Sequence, residues 1–114
     1  AAALACAGGF TATGAQAEGF TIVDLGEVNS REQCLFKAEL TIRRYGENTS
    51  VNKVAVGSWT VMGFDVGFSD TDAVIVCARN DNDRNRASLV VHSPVEASTR
   101  EAQADQIESV WDGF

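Results

Sequence analysis

Two cysteines that follow different periods constrain this chain more than any other feature. Cys34 recurs with Ala38, Thr41, Ile42 and Tyr45 at steps of three and four, the spacing of one helical face. Cys77 alternates with Ala73 and Ile75 in Ala73-Val74-Ile75-Val76-Cys77-Ala78, the two-residue period of a strand. Both side chains point into one core if that helix lies flat on that sheet, so the two sulfurs are expected to bond across 43 positions. No C-x-x-C occurs, so neither redox catalysis nor zinc binding is indicated, and no metal site is expected.

The compartment reading agrees with a bridge. Residues 1–17 are rich in Ala, Gly and Thr, carry no charge, and close on Ala15-Gln16-Ala17 before Glu18. Small residues at those two positions behind a mildly apolar stretch are what signal peptidase cuts. Residues 1–17 are therefore read as a signal-peptide remnant and 18–114 as a single α+β domain, periplasmic or secreted. Cleavage removes Cys6 and leaves an even pair of cysteines. A lipid anchor on Cys6 is the weaker alternative, because Ala3 stands where such signals carry a larger aliphatic residue. No other stretch has the length of a membrane span.

Within 18–114, Phe20 to Leu25 reads as a strand between Gly19 and Gly26. Ser30 with Gln33 forms a capping box for the helix that carries Cys34, with Gly46 as its left-handed stop. From Val51 to Val66, Val54 and Val56 alternate, then Trp59 and Val61 alternate in the opposite phase. That flip predicts a hairpin at Gly57-Ser58, or a bulge. Strands follow over Asp72–Arg79 and Ala87–His92, joined by a polar turn at Asn80 to Asn85. Pro94 ends the sheet, and Ser98 with Glu101 predicts a second capped helix with Ala104, Ile107, Val110, Trp111 and Phe114 on its apolar face. The expected fold is an α+β two-layer sandwich, an antiparallel sheet with two helices on one face, in the order β-α-β-β-β-β-α.

A capped helix bearing Cys34, a short hairpin, Val76-Cys77-Ala78 on a strand, a polar turn, one more strand and a closing helix resemble a group of small exported bacterial proteins of unknown function. The likeness runs over Phe20 to Phe114 in order of elements. It implies the fold and an exported location, and it brings no catalytic residues.

Chemistry is sparse. A net charge of -7 without a basic stripe argues against nucleic acid. His92 is the one histidine, so sites needing two imidazoles are excluded. No G-x-S-x-G or Gly-rich phosphate loop is present, and no cofactor is indicated. Asp81, Asp83 and Asn85 alternate like the first ligands of a calcium loop, but Arg86 replaces the required Gly and His92 the required Glu. Asp65, Asp70 and Asp72 read as solvated carboxylates flanking a turn, and Asn48-Thr49-Ser50 as turn chemistry that also matches a glycosylation pattern.

The leading expectation is a small exported non-enzymatic domain that binds a protein or small ligand through the sheet or the cleft between sheet and helices. A small hydrolase using His92 with nearby carboxylates, and an inhibitor or immunity-like protein, are the alternatives. If Ile75, Cys77, Leu89 and Val91 face the helices, alternation sends Val74, Val76, Ala78 and Val90 to the outer face. Such a face is expected to be covered by a homodimer partner or another protein, or by the strand near Phe20 or the leader folding across it.

Overall fold

The computed structural model of the chain describes residues 19–80 and 84–114. The signal-peptide reading of residues 1–17, Cys6, and the calcium test on Asp81 and Asp83 lie outside those residues. Seven elements follow in the order β1 (Gly19–Val28), α1 (Arg31–Asn48), β2 (Lys53–Val56), β3 (Thr60–Val66), β4 (Thr71–Arg79), β5 (Asn85–Ser93) and α2 (Ala97–Asp112). The strands make one antiparallel sheet in the spatial order β1-β5-β4-β3-β2, and both helices lie on the same face, as the α+β reading expected.

α1 forms where the capping pattern places it: the Ser30 hydroxyl accepts a hydrogen bond from the Gln33 amide at 3.1 Å. Its stripe of Cys34, Ala38, Thr41, Ile42 and Tyr45 is wholly buried. The Cys34–Cys77 disulfide joins it to β4, with Cα atoms 6.0 Å apart. Gly46 does not stop the helix, which runs two residues further; Thr49 closes it, its hydroxyl donating to the Tyr45 carbonyl at 2.6 Å. Gly46 is small for another reason, since a Cβ there would collide with Val51.

The hairpin between β2 and β3 turns one residue later than expected. The Gly57 amide donates to the Thr60 carbonyl at 2.8 Å, leaving Ser58 and Trp59 as the turn. Val56 and Val61 thus stand opposite each other, which accounts for the change of phase. β1 is also longer than expected. A bulge between Asp24 and Gly26, with Gly26 at φ 93°, lets it continue to Val28 along β5.

α2 begins at Ala97, without a side-chain cap at Glu96, so Ser98 lies inside the first turn and the second capping box does not form. The start is fixed instead by Arg100, whose guanidinium donates to the carbonyls of Ser93 and Val95 and ties the helix to the end of β5. Between the layers sit Ile42, Val61, Ile75, Leu89, Val91, Ile107 and Trp111, all 2% exposed or less.

Candidate binding surfaces

Strand register determines what the outer face presents. Ile22 is paired with Val90, Val90 with Val74, Val74 with Met62, and Met62 with Ala55, so an unbroken apolar row crosses all five strands. Val76 extends the patch on β4 and Phe20 on β1, where Phe20 is 66% and Ile22 70% exposed. The alternation of Val74, Val76 and Val90 outward and of Ile75, Cys77, Leu89 and Val91 inward matches the sequence reading. The expectation that the strand near Phe20 crosses this face is overturned. β1 pairs edge to edge with β5, because its backbone hydrogen bonds are met there, and it widens the apolar face instead of covering it.

His92 stands on this face, its ring centroid 4.8 Å from that of Phe20, with Asp72 as its partner across β4. A shallow cleft of about 230 Å³ opens between Phe20, Met62, Asp72, Val74, Val90 and His92. The Asp72 carboxylate accepts from the Asp65 amide at 3.2 Å, and no hydrogen bond joins it to His92 among the described residues. The Phe20 and His92 rings are inclined at 36° to each other. One end of the face is closed by an ionic cluster in which Arg86 binds Asp24 and Arg84 reaches Glu27 at 3.3 Å and Asn29 at 2.9 Å. The Arg86 guanidinium, seconded by the Gly26 amide, holds the Asp24 carboxyl below its usual value of 3.8.

A second concavity lies on the helix side, at the end of the sheet next to the first turn of α1. It encloses about 460 Å³ and is lined by Ser30, Arg31, Glu32, Trp59, Arg79 and Asn85. α1, the β2–β3 turn, β4 and β5 meet here: the Cys77 amide donates to the Trp59 carbonyl, and Arg79 is paired with Asn85. The Arg31 guanidinium stacks on the Trp59 ring at 4.4 Å. Asn85 is 5% exposed, and its Oδ1 has no hydrogen-bond partner among the described residues. A buried acceptor left unmatched costs about 1–3 kcal/mol. Sequence reading assigned Asn85 to a turn; it is the first residue of β5 and faces the helices.

Two buried polar groups of α2 also escaped the sequence. Arg100 occupies the face expected to hold only apolar residues, and Gln103 accepts from Thr71 at 3.2 Å and donates to Ser69 at 3.1 Å. Arg100 stands one turn before Ala104 and Gln103 one turn before Ile107, so helical spacing puts both on the buried stripe, but it names no partner for either. Among the described residues no cluster of His, Cys, Asp or Glu could hold a metal ion, and no helix is long and apolar enough to cross a membrane.

No family model, no curated protein and no solved structure matches the chain.

Proposed function

We propose that the protein is an exported binding domain that pairs with a second copy of itself through the outer face of its sheet. The observation that carries this is the row Ile22-Val90-Val74-Met62-Ala55. Monomers rarely present a contiguous apolar patch of this kind to water. β4 is the central strand and Val74 the middle residue of the row, so a two-fold axis lying in the face through Val74 lays the row on itself. Strands of ten, four, seven, nine and nine residues, at about 3.4 Å per residue and about 4.8 Å apart, offer on the order of 600 Å² of projected face, approaching the roughly 800 Å² that each partner of a stable pair buries.

The exported location is supported by the disulfide, which persists in oxidising compartments, and by the leader pattern of residues 1–17. The element-order resemblance to small exported bacterial proteins points the same way. Size-exclusion chromatography with light scattering tests the pairing. The mass should be twice that of one chain, and Val74→Lys should reduce it to one chain while the melting temperature of the fold is kept. A monomer at every concentration, with Val74→Lys unchanged in mass, overturns the reading. A monomer that instead captures a different protein, and loses it in Val74→Lys, reassigns the face to that partner.

A further inference from the structure

We infer that pH controls the pairing of the outer face: His92 takes up a proton as two copies close over it, and its charge offsets that of Asp72. This rests on the pairing proposed above and gives the condition on which that pairing depends. The central row of the face carries no charge. One row nearer the β3–β4 turn, the register sets Phe20 beside His92 and His92 beside Asp72. Both polar residues lie on the outward alternation of their strands, partly exposed, and both line the shallow cleft of about 230 Å³ with Phe20, Met62, Val74 and Val90. A second copy laid over Val74 therefore takes His92 and Asp72 out of water together. Burying a carboxylate alone is costly, and burying it beside a cation costs less.

The charged groups around His92 leave that role to the imidazole itself. β1 sets only Phe20 against it, with ring centroids 4.8 Å apart. β4 sets Asp72 against it, and the Asp65 amide, donating at 3.2 Å, holds that carboxylate in place. Asp65 and Asp70 stand at the same end of β3 and β4 and add negative charge. Lys53 lies on the edge strand β2, two strands from β4. Arg100 is on the helix side of the sheet, bound to Thr21, Ser93 and Val95. The second copy brings no cation to Asp72 either. β4 is central, so a two-fold axis across the strands at Val74 sets Asp72 over the partner's Val76, and one along the strands sets it over its own copy. Antiparallel neighbours have Cβ atoms about 4.5–5.5 Å apart, so a protonated His92 can turn an N–H onto the Asp72 carboxylate. A histidine imidazole changes charge between about pH 5 and 8. The closed face holds that proton more tightly than the open one, so association is strongest at the acid end of this range and is lost as pH rises.

The test is analytical ultracentrifugation at several settings between about pH 5.5 and 8, repeated with His92→Gln and Asp72→Asn, with circular dichroism to follow the fold. The dissociation constant of the pair should fall about tenfold from the alkaline to the acid end. His92 is the chain's one histidine, so His92→Gln should flatten the dependence. Asp72→Asn should reverse it: the imidazolium is then the lone buried charge, and the pair should loosen toward acid. A pair with the same constant at both ends overturns the proposal and leaves the pairing itself standing, as does a dependence that survives His92→Gln. An Asp72→Asn pair that still tightens toward acid overturns it too. A monomer at every pH and concentration removes the pairing and this control with it.

Discussion

Tyr45 is the only tyrosine in the chain, and burial pushes its phenol above the ordinary value of 10.0. Its hydroxyl donates to Gln106 at 3.3 Å, in the seam between the helices. The unfolded phenol ionises first, so stability should be intact below pH 10 and decline as pH rises through the folded value. An ultraviolet titration should place the Tyr45 midpoint above 10, and Tyr45→Phe should flatten that alkaline decline. Gly63 makes a different kind of demand. A Cβ there would stand 2.7 Å from Ile42 Cγ2 and 3.0 Å from Val66 Cγ1, so Gly63→Ala should cost about 1–3 kcal/mol in urea unfolding by overpacking α1 against β3. Single residues are where sequence reading was least complete. Cys34 and Cys77 were legible because periodicity alone aims them inward. Arg100 and Gln103 were not, because their burial depends on the carbonyls of Ser93 and Val95 and the hydroxyl of Thr71, which come close only after folding.

At the level of elements, α1 and the strands β4 and β5 emerged from local pattern, since a cap and an apolar period act over a few residues. The boundaries that moved were those fixed by distant partners. α1 runs past Gly46, whose missing side chain leaves room for Val51, and α2 starts early because Arg100 anchors it to β5. The disulfide is the strongest single tie between layers. Closing its 43-residue loop stabilises the fold by roughly 4 kcal/mol in the chain-entropy account. The double variant Cys34→Ala, Cys77→Ala should therefore unfold at a distinctly lower urea midpoint with a steeper slope, because the unfolded chain without the cross-link exposes more surface. An unchanged midpoint would mean that packing of the Cys34 stripe alone holds α1 in place.

Over the whole molecule, the layer arrangement was legible and the sheet order was not. The first strand lies next to the last, and α1 carries the chain from one edge of the sheet to the other. Nothing in the run Phe20 to Leu25 names its neighbour; that choice falls to β5, whose register sets Phe20 beside His92 and Ile22 beside Val90. The breadth of the outer apolar face follows from this pairing, and hence the candidate surface could be traced in the sequence only as far as Val74, Val76 and Val90. The two edges of the sheet carry a further consequence. β2 is only four residues long and bears Lys53, while β1 is bent by the bulge at Gly26 and carries Asp24 and Glu27. Neither gives an incoming strand a long, flat, uncharged template. Sideways addition of chains, the route to fibres, is disfavoured at both ends, even with valines as dense as those of β4.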